Sequence, residues 1–301
     1  MGSVPRGTGK ISVALATSRE LADLWAGDSL FLDELRRRGL DSAPLVWDDE
    51  RVDWSAWDAV IIRSCWDYHL KLDRFRAWVD RLEQAGVRLI NPPHLLRWNM
   101  HKGYLLEVSR AGGRIPPTRL VTQGSGRHLR DELRDTGWSS AVIKPAISAS
   151  GHSTRLVEAV PSLEDEDAYA AMRASGDVLL QAFVPAVREH GEWSLVFFAG
   201  RYSHAALKRA ASGEFRVHIE WGGTVETAEP PQALVQQGQR LVDALNLAAT
   251  YARVDGTEVD GDLVVMELEM IEPELFFDRH TEAASRLADA VTAVVHGQQH
   301  P

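Results

Sequence analysis

The segment VVMELEM (264–270) sets two acids, Glu267 and Glu269, among apolar residues. It reads as a strand, and alternate side chains of a strand share a face, so both carboxylates point the same way. Like charges on one face of an apolar strand repel, and each is costly to desolvate. The preceding YARVDGTEVDGD ends in Asp-Gly, the chemistry of a hairpin turn, with Asp255 on the first strand. A strict two-residue Asp260-Gly261 turn pairs Asp255 with Met266 and puts it on the wrong face. A three-residue Asp260-Gly261-Asp262 loop, or one bulge, pairs Asp255 with Glu267, and three carboxylates then converge. Such a cluster suits a divalent cation, since Mg²⁺ takes oxygen ligands and is usually shared with substrate phosphates. The competing reading is an antiparallel strand with one wet face.

Other polar residues sit where a phosphate chemistry would want them. Lys144 ends the apolar strand of VIKPA, ahead of the small-residue loop ISASGHST (147–154), whose amides can cover a phosphate that the lysine reaches. Lys102 lies in WNMHKGYLL. Taken singly, each reads as an ordinary solvated lysine sooner than as a phosphate ligand. LLQAFVPAVREHGEWSL places an apolar segment, a short loop and then Glu192, where backbone can read a base edge and a carboxylate can hold ribose. Arg216 in FRVH and Glu272 beyond the acidic strand are further candidates. His218 stands nearby, and a lone histidine there reads as structural.

These residues need a scaffold, and the apolar periodicity supplies one. Strands are expected at 11–17, 43–47, 59–64 and 87–93, with helices at 29–40 and 74–86, an alternation that implies a parallel, doubly wound sheet. A helix follows over 95–113, then a helix near 128–136, a strand at 140–146, a helix at 164–174 and a strand at 178–184. Strands at 192–209, turning at Ala199-Gly200-Arg201, and at 215–223 precede a helix near 231–246, the acidic hairpin and a closing helix over 281–296. This second half reads as α+β with mostly antiparallel strands.

Composition narrows the function. The chain has 301 residues and a net charge of −10, from 33 basic and 43 acidic side chains, with no basic tract, which argues against a nucleic-acid binder. A lone cysteine, Cys65, rules out an intrachain disulfide framework and fits a reducing, cytoplasmic compartment. No apolar run is long enough to span a bilayer, so no membrane association is expected. The opening MGSVPRGTGK (1–10) reads as a tag or cloning remnant. Its GTGK lacks the P-loop spacing and precedes a strand rather than following one.

Taken in order, the helix lysine, VIKP, the small-residue loop, LLQAFV, EWSL, LKR, EFRVH, ARVD and MELE resemble the ATP-grasp superfamily over roughly 95–290. The resemblance implies an α/β ATP-grasp fold: a Rossmann-like pre-ATP-grasp domain (11–95), a central lid subdomain (96–180) and a C-terminal subdomain (181–301) carrying the metal site. It implies ATP with two Mg²⁺ ions as cofactors. By resemblance, Lys102 and Lys144 contact phosphates, with Ser150 and Gly151 in the covering loop. Gln181, Ala182, Phe183 and Val184 meet adenine, and Glu192 meets ribose. Asp255, Glu267 and Glu269 hold metal. Arg253 stabilises the transferring phosphoryl group, with Lys208 and Arg216 as further catalytic cations. Three departures stand out: Glu269 replaces a frequent Asn, Gln181 replaces a frequent Glu, and the covering loop holds one glycine.

Members of that superfamily pass the γ-phosphoryl of ATP to a carboxylate, and a nitrogen nucleophile attacks the acyl phosphate. The substrate crevice is expected at the strand ends of the first domain, where RSCWDY follows a buried strand. There Arg63 is placed to pair a carboxylate and Asp67 an amine, with Ser64, Trp66 and Tyr68 alongside and Glu272 opposite. The alternative is a Trp-anchored packing loop with Asp67 as a cap. RSCWDY, RWNMHK, GEWSLVFFAGRYSHAALKR and MELEMIEPELFF further resemble the actinobacterial group that includes D-cycloserine synthetases, which cyclise O-ureido-D-serine. The expected partner is a small amino-acid-like carboxylate, in a monomer or homodimer. The alternatives are an intermolecular amide ligase and a non-catalytic nucleotide-binding protein, the latter disfavoured by the complete set of acids and Arg253.

Overall fold

Three sheets, taken in chain order, carry the polar residues named above. The structure, a computed structural model, describes residues 9–149 and 151–297, so residues 1–8 of the expected cloning remnant lie outside it.

The first unit contains β1 (Ser12–Thr17), α1 (Ala26–Arg37), β2 (Asp41–Val46), β3 (Ala59–Ile62), α2 (Leu72–Gln84) and β4 (Arg88–Ile90). Its sheet is wholly parallel, in the order β2-β1-β3-β4. Strand alternation divides its side chains. Val13, Leu15, Ala59 and Ile61 pack with Phe31, Leu32 and Leu35 of α1, while Ala14, Ala16, Val60 and Ile62 pack with Phe75, Trp78 and Val79 of α2. Helices on both faces make it doubly wound, as the alternation predicts.

The single helix expected over 95–113 is two, α3 (Pro93–Asn99) and α4 (Tyr104–Arg110). Lys102 therefore lies in the turn between them rather than inside a helix. Its N–H donates to Ala146 O at 2.7 Å, a bond that diverts the chain from the helical ladder. The next unit has β5 (Thr118–Val121), α5 (Leu129–Thr136), β6 (Ser140–Pro145), β7 (Arg155–Glu158), α6 (Leu163–Ser175) and β8 (Val178–Ala182). Its antiparallel sheet runs β5-β8-β6-β7. Ala141, Ile143, Val178 and Leu180 pack with residues of α5 and α6, which leaves Val142, Lys144 and Gln181 on the opposite face. The boundary expected between 180 and 181 falls inside β8.

The last unit holds α7 (Ala186–His190), β9 (Glu192–Phe198), β10 (Arg201–Arg209), β11 (Thr224–Glu226), α8 (Gln232–Leu245), β12 (Tyr251–Val259), β13 (Asp262–Glu269) and α9 (Thr281–Val295). The sheet order is β11-β10-β9-β12-β13, all antiparallel. The strand expected at 215–223 is absent. The segment is a loop with one 3-10 turn at Ile219–Trp221. The Glu214 carboxylate accepts the backbone N–H groups of Phe215 and Arg216, at 2.8 and 3.1 Å, which a ladder would otherwise use. Gly223 also approaches so closely that a Cβ there would sit 2.2 Å from Val217 O.

The β12–β13 hairpin resolves the register question. Val259 pairs with Asp262 across a two-residue turn, and both turn residues have positive φ, 55° at Asp260 and 83° at Gly261. A bulge between Asp255 and Gly256 leaves Met266 without a partner and sets Asp255 opposite Glu267. Gly256 permits the bulge, since a Cβ there would lie 2.7 Å from Val264 O.

Two buried asparagines fix this hairpin to the first unit. Asn91 Nδ2 donates to Tyr251 O and Met270 O, both at 2.8 Å, and its Oδ1 accepts from Thr250 N at 2.7 Å. Asn99 Nδ2 donates to Leu268 O and its Oδ1 accepts from Met270 N, both at 2.7 Å. The acidic strand is thus held between the end of the parallel sheet and α3. No described helix is long and apolar enough to cross a membrane.

Removing the Asn91 amide leaves buried backbone groups unpaired at about 1–3 kcal/mol each. Asn91→Ala should lower unfolding free energy by roughly 3 kcal/mol, read from the urea midpoint. A loss below about 1 kcal/mol would remove the clasp from the account.

Candidate active site

Period-two alternation gives the five-stranded sheet one apolar and one polar face. Trp193, Leu195, Phe197, Val254 and Leu268 bury into the core with Leu234 and Leu241 of α8. The intervening residues Glu192, Ser194, Lys208, Arg253, Asp255, Glu267 and Glu269 stand on the other face, matched across the ladders. Lys208 lies opposite Glu192, Ser194 opposite Asp255, Asp255 opposite Glu267 and Arg253 opposite Glu269.

Each acid on this face is matched to a cation. Arg253 Nε reaches both oxygens of Asp255 at 3.0 Å, its Nη2 reaches Asp255 Oδ2 at 3.0 Å and Glu269 Oε2 at 2.8 Å, and its Nη1 donates to Glu274 O at 3.0 Å. Lys208 Nζ lies 2.6 Å from Glu192 and 3.2 Å from Asp255. Lys102 Nζ donates to Ser148 O at 2.8 Å and to Glu267. The Ser194 hydroxyl donates to Asp255. Burial alone would raise Asp255, yet Arg253 and Lys208 hold it well below the usual carboxylate range. Burial also raises Glu267, and Lys102 and Lys144 outweigh it. Glu269 stays up at about 7, because burial and the neighbouring Glu267 and Asp255 exceed the help from Arg253.

Two adjoining cavities open on this face. The first, about 820 Å³ including its open mouth, lies between the two antiparallel sheets. It is lined by Lys102, Lys144, Gly151, Gln181, Ala182, Phe183, Val184, Glu192, Lys208, Arg216, Asp255 and Glu267, so the structure brings together most of the residues assigned to a nucleotide. Ser150 lies outside the described residues. The Lys144 ammonium has no hydrogen-bond partner among the described residues, and burial pushes it down to about 8, against the pull of Glu267. Gln181 Nε2 donates to Thr118 Oγ1 at 2.9 Å, and the Ala182 N–H is taken by Pro117 O at 2.9 Å. Arg216 is held by Glu214 at 2.6 Å and stacks on Trp221, 3.3 Å from the ring centroid. Met266, turned out by the bulge, also lines this cavity.

The second cavity, about 940 Å³ including its mouth, shares Ala149, Lys208, Val217 and His218 with the first and adds Trp25, Trp66, Arg253, Glu269, Glu272, Glu274 and Phe276. Trp66 faces it, donating Nε1 to Glu272 O at 3.0 Å and packing 5.2 Å from Trp25. Burial and the neighbouring Glu269 push the Glu272 carboxyl well above its ordinary range.

Four of the expected substrate residues do not reach either cavity. Arg63, 1% exposed, pairs with Asp28 at 3.0 Å, donates to Pro273 O at 2.9 Å and lies over the ring of Tyr251. Ser64 Oγ donates to Asp28 at 2.8 Å. Asp67 accepts from Trp47 Nε1 at 2.9 Å and from Lys71 at 2.7 Å. Tyr68 is buried against Phe75. A charge this deep is costly unless paired, and Asp28, far off in sequence, is the pair. The RSCWDY loop is therefore a packing corner, with Trp66 alone turned to the site. The sequence reading missed Trp25, Glu274 and Phe276, which no local pattern distinguishes from ordinary core and surface residues. It set His218 aside as structural, yet His218 lines both cavities.

The expected metal ligands share a face without closing into a cluster. Among the described residues no three His, Cys, Asp or Glu side chains converge closely enough to hold an ion. Asp255, Glu267 and Glu269 share a face, but each is drawn to its own cation. The donor chemistry still fits Mg²⁺: hard carboxylate oxygens, with Glu269 kept near 7 by burial and by the acids beside it, an excess of buried negative charge that a divalent cation relieves.

Comparison with known proteins agrees with this geometry. The family described as D-cycloserine synthetase DcsG, N-terminal domain, matches residues 13–91. The cycloserine biosynthesis protein DcsG of Streptomyces lavendulae is 31% identical over 277 residues, spanning 86% of this chain and 91% of that protein. The crystal structure of D-cycloserine synthetase DcsG superposes with a TM-score of 0.84 at 27% identity, covering 94% of this chain and 99% of that one. The RimK domain protein ATP-grasp from Sphaerobacter thermophilus superposes at 0.68 with 17% identity over 93% and 99%, a likeness of fold. The ATP-grasp fold implied by the sequence motifs is borne out.

Breaking the buried Arg63–Asp28 pair leaves an uncompensated charge at about 3–5 kcal/mol. Arg63→Ala should therefore destabilise the protein by that order in chemical denaturation. A variant that stays as stable as the parent and shows only a raised substrate KM would return Arg63 to the substrate site.

Proposed function

The chain belongs to the D-cycloserine synthetase DcsG family of ATP-grasp ligases, enzymes that form C–N bonds, and from that premise we propose that it closes O-ureido-D-serine to D-cycloserine through an acyl phosphate. The observation that carries the proposal is the pair of adjoining cavities, one lined by the residues assigned to a nucleotide and the other by acids and tryptophans, meeting at Lys208 and His218.

In this reading the adenine lies against Phe183, read by the Ala182 carbonyl and by the Val184 N–H, which has no partner among the described residues. Glu192 takes ribose hydroxyls. Lys102 and Lys144 hold the polyphosphate, and Lys144, already desolvated and held near 8, regains its full charge beside phosphate. Asp255, Glu267 and Glu269 would hold Mg²⁺, which neutralises charge on the transferring phosphoryl group. The substrate occupies the second cavity, its carboxylate toward Arg253 and Lys208 and its amino group toward Glu272, whose buried carboxyl takes up charge when a cation arrives. A carboxylate oxygen bonds the γ-phosphorus as the bond to ADP breaks, and Arg253 stabilises that transfer. The substrate's own oxyamine nitrogen then attacks the acyl carbon and phosphate leaves. The ureido carbon departs with water as carbon dioxide and ammonia. Ring closure of a held substrate gains high effective molarity, so the protein need only fold it correctly. The Trp25–Trp66 wall fits that role.

With Mg-ATP and O-ureido-D-serine as the only co-substrate, ADP should appear together with a product of cycloserine mass. ADP release that requires a second amine would move the reaction to an intermolecular amide ligase and overturn the cyclisation. Glu267→Gln should abolish ADP formation in a protein that still unfolds cooperatively, its stability lowered by the charge left unpaired on Lys102. Normal turnover would remove Glu267 from metal binding.

A further inference from the structure

His218 is the one titratable ring that lines both cavities among the described residues, and the fold holds it still. Its carbonyl accepts from Trp221 N at 3.0 Å and Gly223 N at 3.1 Å, which closes the loop on itself. The covering loop packs onto the ring, for a Cβ on Gly151 would lie 3.3 Å from Nδ1. That Nδ1 is buried and has no hydrogen-bond partner among the described residues. A buried ring nitrogen without a partner costs free energy, and native structures keep such atoms where a ligand completes them. Nothing in the scheme above uses it.

We propose, building on the reaction assigned above, that His218 is the proton acceptor for the second half-reaction. It takes the proton leaving the attacking nitrogen as the N–C bond forms and the C–O bond to phosphate breaks. The balance is complete within the site: the nitrogen loses a proton and gains an acyl bond, the acyl carbon releases phosphate with the electron pair of the broken bond, and imidazole becomes imidazolium. The position at the seam of the two cavities is what this step requires, because the acyl phosphate forms there and the nitrogen approaches from the second cavity.

The electrostatics agree. Burial lowers His218, Lys208 of β10 and Arg253 of β12 lower it further, and Asp255 of β12 with Glu267 of β13 oppose them, leaving the ring near 4 and uncharged at neutral pH. An uncharged imidazole can accept a proton. Burial is the largest of these effects, and a phosphate anion beside Lys208 would offset the main cation acting against the ring.

The test separates the two half-reactions. The parent and His218→Gln are run with Mg-ATP and O-ureido-D-serine, with and without hydroxylamine, which traps the acyl phosphate as a hydroxamate. The variant should form hydroxamate within about threefold of the parent rate while cycloserine formation falls about 10²–10³-fold, the usual worth of a positioned base. Cycloserine formation within about threefold of the parent overturns the proposal. So does a parallel fall in hydroxamate and cycloserine, which would make the ring a structural prop for phosphoryl transfer. A parent that yields neither product would overturn the reaction assignment itself, and the role of His218 with it.

Discussion

Everything at the centre of this protein depends on burying acids on one face of a sheet. Glu192, Asp255, Glu267 and Glu269 are too close and too enclosed to be charged without compensation. The chain answers with Lys102, Lys208 and Arg253, each reaching at least one of them. Arg253 spans Asp255 and Glu269 because a rigid fork of donors serves two carboxylates, which a lysine cannot do with the same geometry. The compensation is incomplete at Glu269, which burial and the neighbouring Glu267 and Asp255 keep at about 7 despite Arg253.

That constraint propagates outward through the backbone. Asp255 and Glu267 face each other only because Met266 is extruded in a bulge, and Gly256 makes room for it. A slip of one residue would send either Asp255 or both glutamates into the apolar core beneath α8. Asn91 and Asn99 then secure the strand that carries the glutamates, satisfying backbone groups at residues 250, 251, 268 and 270 from the first unit. The parallel sheet thus acts as a mount for the acidic hairpin, and Arg63 with Asp28 strengthens the mount by tying the end of β3 to Pro273.

The legible part of this design was what obeys period. Alternation in the first four strands, and the run of Glu192, Ser194, Lys208, Arg253, Asp255, Glu267 and Glu269, places those side chains on their faces without reference to anything distant. The sequence also stated the bulge as one of two ways to bring the acids together. What it could not express were pairings across long separations. Arg63 reads as a free cation until Asp28, 35 residues earlier, is seen beside it. The helix over 95–113 has unbroken apolar spacing, yet Ala146 takes the Lys102 N–H and splits it. The segment 215–223 has the β-branched and aromatic residues of a strand, but Glu214 captures the N–H groups a partner strand would need. At Arg63 and Lys102 the deciding partner is distant in sequence, whereas at Glu214 it is a local side-chain-to-backbone bond that competes with the strand ladder.

The same arrangement explains how a polyphosphate could enter so charged a cleft. Bringing anions to buried lysines from bulk water would ordinarily carry a full desolvation cost. Here Lys102, Lys144 and Lys208 are already buried, and acids of the chain compensate Lys102 and Lys208 on folding. In the proposed reaction, phosphate oxygens that took over Lys102 and Lys208 would release Glu267 and Glu192, the acids assigned there to metal and ribose. Entry is therefore an exchange of partners within a fixed polar layer. The cations need not move, because β10, β12 and the turn at Lys102 hold them whether their partner is a carboxylate of the chain or a phosphate of the nucleotide. A site of that kind is preorganised for charge that arrives with the substrate, which is the condition under which electrostatic stabilisation favours the transition state over the ground state.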